Sequence, residues 1–284
     1  MELAYFLTLL FTIILLIVPS GAVPQASQGS PSSTLTDSTY TSTNLSTATT
    51  SAPSSTSTSG SSSNSTSTTI VPSGPDVSGA NATVDFGSNY AVLFLDYIEG
   101  IVASARANEQ GQTFLNNSIR WYEAINSLEE KPFVAYSRVA FYSDQRYEVA
   151  SVPWGFNLVT GGNNFTEASN NTQVISEIAP KTDDYVFLKK RYSAFVFNDA
   201  IQTLRAQNVT TVVLSGIRAS GVIISSIYAL FDNDFRVFVI ADNVYEPEPN
   251  SVLIKNALLG EQGIVTKLPA NVISLDQALK AIGA

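Results

Sequence analysis

The chain contains no cysteine and no histidine, and only 14% of its 284 residues are charged. Without cysteine there is no disulfide framework, no thiolate nucleophile, no iron–sulfur cluster and no lipid-bearing thiol. Without histidine there is no Ser-His-Asp triad, no HExxH zinc site and no imidazole acid or base. A metal held by carboxylates and carbonyls alone is the one metal chemistry left open, and no cofactor motif is present. Fifteen Lys and Arg against 24 Asp and Glu leave a net charge of −9. No basic run is long enough to track a phosphate backbone, so nucleic acid is not an expected partner.

What is present falls into three zones. Residues 3–18 (LAYFLTLLFTIILLIV) are almost wholly apolar, and small residues follow at Ser20 and Ala22. That layout predicts a secretory signal over 1–22, although only Glu2 stands where a basic leader is usual. At 16 residues the run falls short of the ~20 that span a bilayer comfortably. An uncleaved signal anchor, tethering the chain to a membrane or cell wall through its N-terminus, is the rival reading. In both cases the rest is expected to be secreted or displayed at the cell surface. The C-terminus shows no apolar tail of the kind that precedes a GPI anchor.

Over 23–76, Ser and Thr make up more than half of the residues, and Lys and Arg are absent. Too few apolar side chains are available to offset the entropy of ordering, which predicts a disordered stalk. Dense hydroxyls with scattered proline read as an O-glycosylated spacer or, equally well by sequence, as a bare flexible linker. Asn-x-Ser/Thr sequons start at Asn44, Asn64, Asn81, Asn116, Asn164, Asn170 and Asn208, which is consistent with export.

Residues 77–284 are long enough for one substantial core. All the basic residues and all but three of the acids lie here. Apolar runs at Tyr90–Leu95, Phe133–Ser137, Tyr185–Leu188, Thr211–Ser215, Arg236–Ala241 and Ile264–Leu268 read as strands. Helical periodicity recurs over Phe114–Leu128, after Asn198 and Asp199, after Gly216, and after the Ser274–Gln277 capping box. Alternation of this kind predicts an α/β fold, a parallel sheet with helices on both faces. Such sheets bind ligands beyond the carboxyl ends of their strands, at the topological switch point. Asp96 and the Gly216–Val222 turn are the leading residues there. Read as structure alone, Asp96 caps a turn or pairs with a lysine, and Gly216 and Gly221 mark a tight turn and close packing. Trp154 and Phe156 read as a pocket wall, a lid or core packing. The glycines lack the Lys-Ser/Thr of a phosphate loop.

Four segments resemble the isochorismatase-like hydrolases, the superfamily that includes nicotinamidases and other cysteine amidohydrolases. They are AVLFLDYIEG (91–100), SRVAF (137–141), KKRYSAF followed by NDA (189–200), and VVLSGIRASGVIISS (212–226). The resemblance implies a three-layer α/β/α domain with a six-stranded parallel sheet in the order 3-2-1-4-5-6. It also implies that Asp96 and Lys189 match the Asp and Lys that assist a cysteine in the amidase branch, where the thiolate attacks an amide carbonyl. The nucleophile position falls on Val222, whose side chain has no lone pair and no ionisable proton. Isochorismatases resemble this domain yet do not use the cysteine: their Asp protonates a vinyl ether, and water completes the cleavage. A substitute nucleophile, Ser220 or Ser225 activated by Lys189, is the other enzymatic route.

Further departures imply a changed pocket. Ile98 stands where many relatives have Gln, Phe197 and Asn198 replace Gly-Thr, and Arg218 occupies a turn position that is usually small. The metal ligands of nicotinamidases have no counterpart. Arg218, Gly216, Ser220, Gly221 and Phe195 are the candidate substrate-binding residues. Three readings follow: a hydrolase with non-cysteine chemistry acting on a small amide or vinyl ether, a pseudoenzyme binding a small carbonyl or carboxylate ligand, or a cell-surface structural domain. Relatives often assemble through helix faces, so a homo-oligomer is also an expectation.

Overall fold

A computed structural model describes residues 83–152, 156, 165–266 and 269–284. The N-terminal apolar run, the Ser/Thr-rich zone, Trp154, and the sequons at Asn44, Asn64, Asn81 and Asn164 lie outside the described residues. Among those described, no helix is long and apolar enough to cross a membrane.

Six strands form one parallel sheet: β1 (Tyr90–Leu95), β2 (Phe133–Val139), β3 (Tyr185–Lys189), β4 (Thr211–Ile217), β5 (Arg236–Tyr245) and β6 (Asn271–Ile273). Their order is β3-β2-β1-β4-β5-β6, as expected. β1 and β4 carry continuous apolar runs because both faces of the sheet are covered. Val92 and Phe94 point toward one layer, where α1 (Glu99–Arg106), α2 (Glu109–Asn126) and α6 (Leu275–Ala281) contribute Val102, Trp121, Ile125 and Ala278. Ala91, Leu93 and Leu95 point toward the other. There α3 (Ala200–Ala206), α4 (Ile224–Phe231) and α5 (Ser251–Leu259) supply Leu204, Ile227, Leu230 and Leu259. The period-2 strand pattern therefore feeds two cores from a single strand.

The structure departs from the sequence expectation at three places. Ile264–Thr266 form a turn, and the sixth strand lies at Asn271–Ile273. The apolar run at 264 is mixed in its placement, with Val265 buried against the α5 side of the sheet and Ile264 57% exposed. Helix α1 had no expectation at all, since its apolar residues are sparse and only Val102 and Ala105 are buried. Strands β2, β4 and β5 each run beyond the predicted limits. In β4 the extension passes through Gly216, at φ +153°, where an added Cβ would clash with the backbone oxygen of Leu95. Only glycine lets β4 stay this close to β1. At α6 the predicted capping box is present, with Ser274 and Gln277 each satisfying the other's backbone N–H.

Candidate functional site

The switch point of the sheet lies between β1 and β4, and a pocket opens at the carboxyl ends of these strands. Its volume is about 450 Å³, within the range of small-molecule sites. Asp96, Lys189, Val222 and Arg218 all line it, together with apolar walls from Ile101, Val139, Phe156, Phe165 and Ile217.

Asp96 follows β1 directly and adopts φ 59°, a left-handed conformation that aspartate tolerates better than most side chains. Three hydrogen bonds with Ser137 fix it there. Its N–H reaches the Ser137 backbone oxygen at 3.2 Å and Ser137 Oγ at 3.1 Å. The Ser137 hydroxyl in turn donates to Asp96 Oδ1 at 2.7 Å. Parallel pairing of Leu95 with Ser137 brings this serine alongside. Lys189 ends β3, one strand further out, and its Nζ lies 2.6 Å from Asp96 Oδ2.

Both charges are buried, Asp96 at 3% and Lys189 at 2% exposure. Lys189 Nζ also donates to the backbone oxygens of Arg191 at 2.9 Å and Tyr192 at 3.0 Å. Its three ammonium hydrogens are thus fully engaged. Burial pushes the Asp96 carboxyl above its ordinary range, against the opposing pull of Lys189 and the Ser137 hydroxyl. A carboxyl raised in this way is suited to giving up a proton to a bound molecule.

The turn after β4 supplies the opposite wall. Val222 is 2% exposed and belongs to a π-helical segment, Ala219–Ile223, that runs into α4. Arg218 is exposed at the rim. The other predicted binding residues have different surroundings. Gly216 is engaged in the β1–β4 approach. Ser220 donates its N–H and its hydroxyl to Glu246, both at 2.8 Å. A Cβ on Gly221 would stand 3.0 Å from Arg218 Cγ and 3.1 Å from the Tyr192 ring, so this glycine makes room for both. Phe195 stacks on Phe187, with ring centroids 6.3 Å apart, and packs against the core. None of these four is among the residues lining the pocket. Ser225, the other substitute nucleophile, donates its hydroxyl to the Gly221 backbone oxygen at 2.6 Å.

Several functional neighbours were not legible beforehand. Ser137 belongs to the SRVAF segment, whose sequence alone gives it no chemical role. Phe165, Ile101 and Val139 carry no chemical signature in sequence, and the sequence around Phe156 fits a pocket wall, a lid or core packing alike. Ile98, in place of the usual Gln, is wholly buried and starts α1. Phe197 is 70% exposed, with the Arg191 guanidinium 5.0 Å from its ring centroid. Lys190 lies near Glu148 and Glu167 and donates to the Ala140 backbone oxygen, so the basic cluster holds loops together near the pocket. Among the described residues no group of His, Cys, Asp and Glu is arranged to hold a metal ion.

The chain is 41% identical over 73 residues to the phenazine biosynthesis protein PhzD1 of Pseudomonas aeruginosa, covering 25% of this chain and 35% of that protein. It is 36% identical, over an equal length, to a probable isochorismatase of Pseudomonas chlororaphis. The matched segment spans about a third of each relative. The fold is shared with an isochorismatase family protein from Burkholderia thailandensis, at a TM-score of 0.56 and 18% identity, covering 69% of this chain and 96% of that one. It is shared too with N-carbamoylsarcosine amidase from Thermoplasma acidophilum, at 0.53 and 20%, covering 66% and 98%. The isochorismatase domain family matches residues 90–257, spanning β1 through most of α5 and every charged group of the pocket, and the chain belongs to the isochorismatase family of hydrolases.

Proposed function

We propose that this domain hydrolyses a small enol ether, with Asp96 as general acid and water as the nucleophile. The observation that carries the reading is a buried carboxyl, raised by its burial, at the floor of a small-molecule pocket. In this scheme protonated Asp96 delivers its proton to the terminal carbon of the C=C–O group, leaving an oxocarbenium ion. Water adds to that carbon–oxygen centre, a proton returns to the carboxylate, and the hemiketal collapses to an alcohol and a ketone. Lys189 and Ser137 orient the carboxyl and stabilise its charged form between the two proton transfers.

Covalent amide hydrolysis has less support. No cysteine exists in the chain. Val222, at the position where the cysteine branch of the superfamily has its nucleophile, offers no reactive atom. Ser220 and Ser225 have their hydroxyls committed elsewhere, and Lys189 has no donor or lone pair left with which to activate them. The name of the probable isochorismatase among the relatives makes isochorismate the first substrate to assay. Wild type is expected to turn over isochorismate or a simpler enol ether. Asp96→Asn is expected to lower the rate by about 10²–10⁴-fold, the usual contribution of a general acid. Equal rates for the two proteins would remove Asp96 from the mechanism.

The valine at the nucleophile position favours one second reading, a pseudoenzyme that binds a small carboxylate without converting it. Saturable ligand binding with no turnover of any enol ether or amide would select it. Export of the domain on a glycosylated Ser/Thr-rich stalk is part of the same proposal, supported by the apolar run at 3–18 and the repeated sequons. A native protein retained inside the cell, or one migrating at its bare peptide mass, would refute that part.

A further inference from the structure

The pocket contains three charged groups, and two of them satisfy each other. Asp96 and Lys189 form a buried pair 2.6 Å apart, and the remaining Lys189 hydrogens are bonded to backbone oxygens. Neither offers a free positive charge to a ligand. The helical segment that begins at Ala219 is a second source of positive potential, since helix N-termini attract anions. That end is occupied already: Glu246, 3% exposed, accepts from both the N–H and the hydroxyl of Ser220.

Arg218 is different. It is an exposed residue of the pocket lining, and its guanidinium forms no salt bridge or hydrogen bond with any described residue. Among the described residues the pocket thus keeps one positive charge without a counterion, in a domain whose overall charge is negative. Gly221 leaves open the space beside the Arg218 stem, where a Cβ would stand only 3.0 Å from its Cγ. Much of the remaining lining is apolar, formed by Ile101, Val139, Phe165, Ile217 and Val222.

We infer that Arg218 is the specificity-determining residue of the pocket and that it selects a ring-sized carboxylate. The carboxylate meets the guanidinium through paired N–H···O bonds, a geometry that arginine provides and lysine does not. The apolar body of the ligand lies along the walls, which places its far end at the pocket floor. The part of the inference that puts a protonatable group at Asp96 rests on the enol-ether reading above. The carboxylate selection at Arg218 stands without it.

The test uses the purified chain with benzoate and its neutral isostere benzamide, read by titration calorimetry. Benzoate is expected to saturate the wild type and to bind at least about tenfold more tightly than benzamide, as a charge-assisted pair requires. Arg218→Gln should lose that preference by about tenfold or more while its thermal midpoint stays unchanged, because the side chain is exposed. Arg218→Lys should fall between the two. Equal benzoate affinity in wild type and Arg218→Gln, or no saturation of the wild type, would overturn the inference. Wild-type turnover separates the two proposals: benzoate binding that depends on Arg218, in a wild type that turns over no enol ether, would uphold the carboxylate selection and end the catalytic reading.

Discussion

The two sides of the pocket handle charge in opposite ways. On the β1–β2–β3 side, a carboxylate and an ammonium are sunk below the surface, and every Lys189 hydrogen has an acceptor. On the β4–β5 side, Glu246 is buried but clamps only a turn, and Arg218 is left exposed without a partner among the described residues. Buried charge persists only when it is paired and hydrogen-bonded, so the first side is rigid and its protonation is tuned by its surroundings. An exposed cation needs no such support, and it stays available to a ligand. In the proposed scheme the floor carries the chemistry and the rim the selection.

Breaking the floor should have the largest effect. Lys189→Met would strand a buried carboxyl and two backbone oxygens, and a loss of about 3–5 kcal/mol is expected in chemical denaturation. A loss within ±0.5 kcal/mol would mean that the pair contributes nothing to the fold. Ser137→Ala removes one hydrogen bond to the buried carboxylate, at an expected loss of about 1–3 kcal/mol.

Ser137→Ala also sharpens the comparison through pH. The folded state holds the Asp96 proton more firmly than the unfolded chain does, because burial raises its carboxyl. Between the ordinary carboxyl value and the folded one, the folded chain therefore binds more protons, and stability should fall as pH rises. General-acid turnover should decline over the same rise, as Asp96 ionises. Since the Ser137 hydroxyl favours the charged form, its removal should carry turnover to higher pH. A pH–rate profile that moves downward instead would contradict this account of the carboxyl.

On the opposite side, Glu246→Ala frees Ser220, which water can then solvate, so the loss should be nearer 1.5 kcal/mol by urea unfolding. Far from both sides, Ser274→Ala removes one half of the α6 capping box. It should lower stability by about 1 kcal/mol with no change in ligand binding or turnover. A change in turnover there would show that the sheet's outer edge is coupled to the pocket.

Much of this arrangement was legible in advance. Strand positions were visible as short apolar runs, and Asp96 stood at the end of the first. The sheet order followed from the family resemblance. Boundaries were less secure. Strand β4 was expected to stop at Ser215, with Gly216 read as a turn, whereas the structure uses the bare Gly216 to bring two strands together. The apolar run at 264 looked like a strand because short apolar runs look alike whether they pair or merely pack. Of the proposed binding residues, Arg218 is at the pocket, but Gly216, Ser220, Gly221 and Phe195 turned out to serve backbone approach, turn clamping and packing. Sharing a turn with a pocket residue does not bring a side chain into the pocket.

Residue types and their local periodicity determined the exclusions, the strand–helix alternation and the identity of the chemical groups available: no thiol, no imidazole, a carboxyl at the end of the first strand. Tertiary structure alone decided which groups meet. Ser137 and Lys189 reach Asp96 because parallel crossovers align the carboxyl ends of β1, β2 and β3. Glu246 reaches Ser220 by the same means across β4 and β5. Periodicity acts over a few residues, whereas these encounters depend on where long connections return the chain. The burial that raises the Asp96 carboxyl arises only once those connections have closed.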